Sequence, residues 1–329
     1  MKPKKYNQAI PPERKYTKID FDREFPDDDA CFEFVFEQRW PKGMARCDSD
    51  ECKRKMRKHH RVTGRTAVAC DYCGKHIYPL ADTIFEKSTT PLRLWFHAMF
   101  LISSTRCGIS AKQVQREVGV TYKTAWRMFK QIRQLMSEPG TRLEGSSVES
   151  DETFMGGSRK YGRGRPMRGD KKKTPVQGIV QRGGKIVALA VPDTRGNTLL
   201  ANIRKYVLPA SVIFTDELTA YEGIRSITER GYKHRRIKHS AGVYVRGNVH
   251  TNTIEGFWSL VKRGIGGVYH QVSQKYLQSY LDEYAFRYNR RENDQPMFTS
   301  LLRQISSEDA TQAFGVTLPS AAASEMPTS

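Results

Sequence analysis

The sequence has no long hydrophobic run: the longest nearly apolar stretch, LWFHAMFLI at 94–102, has nine residues including a histidine. A helix that crosses a bilayer needs about 20 apolar residues, so a membrane span is excluded here. The stretch MKPKKYNQAIPPERKYTK carries positive charge with nothing apolar after it; this is unlike a secretory signal, and the expected compartment is the cytoplasm. Cysteine is scarce. Six in 329 residues are too few for a disulfide scaffold, and in a reducing compartment metal binding is the better use of any that cluster. Negative charge is in short supply too: 35 Asp and Glu face 55 Lys and Arg, a net charge of +20. An excess of that size selects a polyanionic partner, nucleic acid first and an anionic membrane surface second. What is present suffices for a core, with 38% hydrophobic residues, and the length suggests about two domains plus tails.

Residues 1–30 mix charges and prolines without periodicity, as an arm would. Residues 31–85 hold five of the six cysteines, and 86–140 turn helical in pattern. There PLRLWFHAMFLISS is a buried helix, and SAKQVQREVG is a second one with Ser110 as its N-cap and Gly119 in the following turn. A third starts at Thr121, with Ala125, Phe129, Ile132 and Met136 on one apolar stripe and Lys123, Arg127, Lys130 and Arg133 on the opposite face. Two helices joined by a short glycine-containing turn, the second of them basic, have the form of a helix-turn-helix, or of any helical hairpin. SEPGTRLEGSS at 137–147 is a linker by composition. From 146 to 305 the pattern is strand, hairpin with Gly183 and Gly184 at its turn, helix, strand, helix, weak basic strand and two helices, which is the order of an α/β domain with a mixed sheet. The tail 306–329 is rich in Ser, Ala and Thr, as disordered segments are.

Four residues separate Cys47 from Cys52 and two separate Cys70 from Cys73, with seventeen between the pairs. Four soft ligands in two knuckles at this spacing suit tetrahedral Zn²⁺, with His59, His60 or His76 as substitutes for one of them. Cys31 and Cys107 have no partner at metal spacing and are expected to be small buried hydrophobes. Asp151 lies in the strand SVESDETF, and Asp216 follows the apolar run SVIFT, at the carboxyl edge of a strand where open sheets build sites. Either aspartate alone reads first as a turn or cap residue. Glu255 and Lys262 are seven positions apart in HTNTIEGFWSLVKRGIGGVYH at 250–270 and share a helix face, with Trp258 and Ser259 between them. Two strand-end aspartates and a helical glutamate in a basic chain are what two-metal phosphodiester chemistry requires, with Mg²⁺ or Mn²⁺ as the hard cation. Glu149 alternates with Asp151 along the strand, whereas Glu152 and Glu217 directly follow their aspartates and should point away; none of the three is counted in the site.

DETFMGG at 151–157, TDELTAY at 215–221 and the segment 250–270 resemble the catalytic motifs of bacterial insertion-sequence transposases of the ISXO-two-like group. Upstream, the paired cysteines are similar to that group's zinc ribbon, although CDSDEC is wider than its usual two-residue knuckle, and GISAKQVQREVGVTYKTAWRM is similar to its helical segment. The resemblance, over roughly 30–300, implies a small zinc ribbon (31–85), a helix-turn-helix-like domain (86–140) and a ribonuclease H-like catalytic domain (146–305). It implies Asp151, Asp216 and Glu255 as the metal-binding triad, with Asn252 as a rival to Glu255, and Lys262 as the basic residue beside the scissile phosphate. It implies binding to transposon ends and target DNA, cleavage and strand transfer, a homodimer or higher assembly on DNA, and a place with the bacterial nucleoid.

The basic stretch GGSRKYGRGRPMRGDKKK begins five residues after Asp151 and carries Arg159, Lys160, Arg163 and Arg165; it is expected to contact the DNA backbone, as are Lys123 and Arg127. YKHRRIKH at 232–239 is a second basic run, and His250 precedes the acidic helix. Two other functions compete: a ribonuclease H-like nuclease that only hydrolyses, which would use the same acids, and a non-catalytic zinc-ribbon DNA-binding regulator derived from a transposase, against which the intact acids at all three positions argue.

Overall fold

The structure, a computed structural model, describes residues 16–105, 107–144, 147–156, 173–237 and 251–306; Arg159, Lys160, Arg163, Arg165, His250 and the tail after Ser306 lie outside them. The described chain forms two compact units, 16–100 with 298–306, and Leu101–Met297.

In the first unit, helix replaces part of the expected arm. Thr17 and Asp20 cap each other's backbone N–H groups and open α1 (Lys18–Glu24), and Asp27 caps α2 (Asp28–Arg39) through the Ala30 N–H. Phe21 and Phe25 are buried among Phe100 and Phe298, and this aromatic packing holds a segment whose polar composition hides its helices. Four short strands follow, β1 (Met44–Arg46), β2 (Met56–Arg61), β3 (Val68–Cys70) and β4 (His76–Ile77), antiparallel and in chain order. α3 (Leu92–Ser104), whose last residues belong to the second unit, is the expected buried helix, with Trp95, Phe96, Met99 and Ile102 at 0–1% exposure.

In the second unit, Ser110 caps α4 (Ala111–Val118) through the Gln113 N–H, and Thr121 caps α5 (Tyr122–Leu135) through the Thr124 N–H. Gly119 ends α4 in the left-handed region at φ 73°, where a side chain would be strained, and so permits the three-residue turn. The stripe Ala125, Phe129, Ile132 and Met136 is buried as its period requires. Lys123, Arg127 and Lys130 are exposed, but Arg133 is not: its guanidinium reaches a buried carboxylate on α8 (Gln274–Asn289).

The five-stranded sheet of this unit contains β5 (Val148–Met155), β6 (Thr174–Gln181), β7 (Ile186–Ala190), β8 (Val212–Thr215) and β9 (Lys233–Arg236) in the order β7-β6-β5-β8-β9. The β5-β6-β7 meander is antiparallel, whereas β8 and β9 join parallel to β5. This is the ribonuclease H-like mixed sheet expected from the sequence. Even-numbered positions of β5, such as Val148, face α6 (Gly196–Tyr206) and a 3₁₀ helix at Thr219–Ser226; odd-numbered ones, such as Met155, face α7 (Asn252–Gly264) and α8. Each large apolar side chain buried on these faces contributes about 1.5–3 kcal/mol. Of the segment 137–147, a linker by composition, residues 137–144 and 147 are described and are bonded to this unit. Leu143 bridges to Val207, its N–H donating to the Tyr206 carbonyl at 2.7 Å, and Glu138 pairs with Arg290 at 2.7 Å.

Candidate active site and metal-ligand clusters

The acidic site is built where β5 outruns its parallel neighbour. β8 pairs with β5 at Val148↔Ile213 and Glu149↔Phe214, and then ends at Thr215, whereas β5 continues to Met155. Asp151 and Glu152 therefore lie on a stretch of β5 with no partner on the β8 side, next to Asp216, which directly follows β8. One carboxylate oxygen from each of Asp151, Glu152 and Asp216 lies within 4.8 Å of the others. Glu152 is the residue that strand alternation misplaces. Its side chain starts from the α6 face and that of Asp151 from the α7 face, and both reach around the unpaired edge to Asp216.

Each carboxylate is held by a neutral donor from a different segment. Trp258 on α7 donates its indole N–H to Asp151 Oδ2 at 3.0 Å, the buried Tyr221 hydroxyl donates to Glu152 Oε2 at 3.0 Å, and the Leu218 N–H donates to Asp216 Oδ1 at 2.9 Å. Among the described residues no Lys or Arg forms an ion pair with any of the three. Burial, and then the charge of Asp216, push Asp151 up to about 6; burial, followed by Asp216 and Asp151, pushes Glu152 up to about 7. Such a set of hard oxygen donors, crowded and uncompensated by side-chain cations, is suited to a divalent cation.

Glu255 stands outside this 4.8 Å set. It is exposed in the first turn of α7, where the Thr251 hydroxyl donates to its Oε1 at 3.0 Å, and its charge is among the influences that raise Asp151. Asn252 is exposed at the start of the same helix, and Lys262 is exposed two turns on from Glu255. α7 is fixed by Glu149, which shares the α7 face of β5 with Asp151. Its fully buried carboxylate accepts from the Ile254 N–H and the Thr253 hydroxyl, each at 3.0 Å, and from Arg182 at 2.6 Å. A carboxylate at otherwise unsatisfied first-turn amides caps the helix from the strand. Gly178, cross-strand from Asp151, lets α7 approach: a Cβ there would lie 2.5 Å from Ile254 and 2.6 Å from Trp258.

The four sulfurs of Cys47, Cys52, Cys70 and Cys73 also lie within 4.8 Å of one another, in the β1–β2 and β3–β4 turns. The nearest pairs, Cys47–Cys73 at 3.5 Å and Cys52–Cys70 at 3.8 Å, are not disulfides. The histidines do not enter this set: His59 Nδ1 is bonded to the Arg57 carbonyl at 2.9 Å and His60 Nδ1 to Asp71 at 2.6 Å. Cys31 is buried, as expected, and burial pushes its thiol up to about 12. Cys107, however, is exposed. The second basic run is partly consumed inside the fold, because His234 Nε2 contacts the Thr215 hydroxyl at 2.9 Å and Arg236 pairs with Glu222, leaving Lys233 and Arg235 exposed.

A profile of the ISXO2-like transposase domain matches residues 142–289. An uncharacterized protein in the transposable element ISH50 of Halobacterium salinarum is 30% identical over 234 residues, covering 66% of this chain and 76% of that protein. The chain belongs to the ISXO2-like transposase family. An uncharacterized transposase-like protein of Haemophilus influenzae is 29% identical to this family member over 121 residues, which cover 37% of this chain and 93% of the other. The crystal structure of a pre-cleavage Mos1 transpososome aligns over 62% of this chain and 73% of its own at 10% identity, with a TM-score of 0.25. In this ISXO2-like transposase the profile spans Asp151, Glu152, Asp216, Glu255 and Lys262 and leaves out the four-cysteine cluster. No helix among the described residues is long and apolar enough to cross a membrane.

Proposed function

We propose that this family member is a DNA transposase that binds the inverted repeats at the ends of its element, cuts the DNA there and joins the freed ends to target DNA. What supports this reading most is the meeting of Asp151, within β5, and Asp216, just after β8, where the parallel pairing of the two strands ends, beside a helix carrying Glu255 and Lys262. Asp151 and Asp216 would hold Mg²⁺ or Mn²⁺, with Glu255 as the third ligand supplied by α7 and Asn252 as its rival. A divalent cation bound there would activate water and stabilise charge on the attacking and leaving oxygens. Trp258 and the Leu218 N–H orient the two aspartates, and Lys262 grips a phosphate near the scissile bond.

The closed set of four thiols, three of them buried and Cys73 partly so, fits Zn²⁺, held by Cys47, Cys52, Cys70 and Cys73, and such an ion would contribute much of the folding energy of the short strands around it. DNA contacts would come from Lys123 and Arg127 on the exposed face of α5 and from Arg159, Lys160, Arg163 and Arg165. Joining two ends calls for two or more copies of the chain. The test is cleavage and joining of labelled terminal-repeat DNA in Mg²⁺. Both should vanish in Asp151→Asn and in Asp216→Asn, while folding and DNA binding persist. Cleavage with no joined product from precut ends would make the protein a hydrolytic nuclease, and activity that survives both substitutions would reject the metal site.

A further inference from the structure

We propose that Glu152 is a metal ligand of this site, completing a three-carboxylate set with Asp151 and Asp216 before Glu255 is engaged. The inference rests on the reading of the acidic cluster as the site of DNA cleavage. Its first support is placement: the Glu152 carboxylate is within 4.8 Å of both aspartates, and the Glu255 carboxylate is not a member of that set. The second support lies on the opposite side of the sheet from α7. Tyr221 is fully buried against Leu199, Ile203 and Ile213, so its hydroxyl has a fixed position, from which it donates to Glu152 Oε2 at 3.0 Å. Its oxygen in turn accepts from the Ser150 hydroxyl at 3.4 Å, and Ser150 is itself buried and contacted by Gln177 Nε2 at 3.3 Å.

This chain of neutral donors holds a glutamate at a strand edge that would otherwise be free to turn toward water, and it aims the side chain at Asp216. Hydrogen bonds that fix the orientation of a ligating carboxylate are how metal sites are commonly supported. Asp151, Glu152 and Asp216 thus show one arrangement three times: one oxygen is engaged by a described tryptophan, tyrosine or backbone donor, and the other oxygen has no side-chain donor among the described residues. Three oxygens so disposed can enter the coordination shell of one hard cation and leave positions for water and phosphate.

The test is Mn²⁺ binding to the DNA-free, zinc-loaded full chain, followed by electron paramagnetic resonance and calorimetry, with circular dichroism to verify folding. Glu152→Gln should weaken Mn²⁺ at least about tenfold and Tyr221→Phe by about tenfold, the usual effect of losing a supporting hydrogen bond. Glu255→Gln should leave DNA-free affinity within about threefold, as expected of a residue outside the set. If Asp151→Asn and Asp216→Asn lose Mn²⁺ while Glu152→Gln binds as wild type, the role of Glu152 is refuted and the active-site reading stands. Should the wild type bind no Mn²⁺, or all four carboxylate variants bind it equally, both fall. Should Glu152→Gln fail to fold, Tyr221→Phe decides: wild-type affinity in that variant refutes the inference.

Discussion

Replacing Gly178 with alanine tests how closely α7 must approach β6 for the active site to form. The new Cβ would lie 2.5 Å from Ile254 Cδ1 and 2.6 and 2.9 Å from Trp258 Cζ2 and Cη2. Carbon atoms rest at about 3.5–4.0 Å, so these side chains, or the helix, must retreat by roughly 1 Å. The tip of Ile254 can rotate away. The Trp258 indole has little freedom, being 4% exposed and packed against Phe257 at a centroid distance of 5.3 Å. Overpacking of this kind costs about 1–3 kcal/mol, and the restricted unfolded chain returns about 0.4–1 kcal/mol, so a net loss of about 1–2 kcal/mol is expected. A retreat of that size also breaks the 3.0 Å bond from Trp258 to Asp151, so DNA cleavage should fall further than DNA binding.

Gly256 supplies an internal control, because nothing lies within 4 Å of a Cβ built there and it sits in the middle of α7. Gly256→Ala should stabilise by about 0.8–1 kcal/mol through helix propensity alone. Urea unfolding followed by circular dichroism and tryptophan fluorescence reads both variants. If Gly178→Ala is as stable as wild type, or if the two substitutions shift stability in the same direction, the close approach of α7 is not what the glycine provides.

Three further outcomes are expected. Burial works to raise the Glu283 carboxyl, but Arg133 at 2.7 Å and Arg287 at 2.8 Å hold it below the usual range. Glu283→Gln should therefore cost about 3–5 kcal/mol by thermal unfolding, and the joint replacement of Glu283, Arg133 and Arg287 with apolar residues should recover most of it. The stability that Glu283 contributes is present above its unfolded pKa, about 4.3, and is lost as pH falls through its lower folded value. For Asp151 and Glu152 the sign is opposite. With folded values of about 6 and about 7 against 3.8 and 4.5, the metal-free native state binds their protons more tightly than the unfolded chain does. Their contribution should favour folding as pH drops from 7.5 to 5, relative to an Asp151→Asn, Glu152→Gln variant, and Mg²⁺ at pH 7.5 should remove the difference. Finally, stripping the metal from the four-cysteine cluster, or Cys52→Ser, should unfold the β1–β4 sheet; elemental analysis and circular dichroism would check this, and retained structure without metal would contradict a structural ion.

Much of the site was legible because its signals are local. A charge straight after Val212, Ile213, Phe214 and Thr215 marks a strand end, and two cysteine pairs at knuckle spacing mark a cluster. Glu152 was not legible, because alternation gives the face from which a side chain starts and not how far a long one can reach at an unpaired strand edge, and the shortness of β8 shows only in the pairing. Arg133 was misread for a related reason: on α5 a basic residue off the apolar stripe looks solvated until a partner 150 positions away, Glu283, comes to meet it. The helices at Lys18–Glu24 and Asp28–Arg39 had their signals in the text, Thr17 three residues before Asp20 and Asp27 before an aromatic run, but aperiodic charge concealed them.

The two attachments between β5 and α7 have a mechanical consequence. Glu149 clasps the first turn of the helix and Asp151 is tied to Trp258 one turn on, so strand and helix are pinned at two points and cannot slide or pivot against each other without breaking both. Glu255 is carried on that pinned segment with its side chain exposed. Any movement that brings its carboxylate to Asp151 is therefore a rotation about side-chain bonds, a motion of nanoseconds rather than a domain closure of milliseconds. On this geometry, bringing Glu255 to the aspartates requires no closure of α7 onto the sheet.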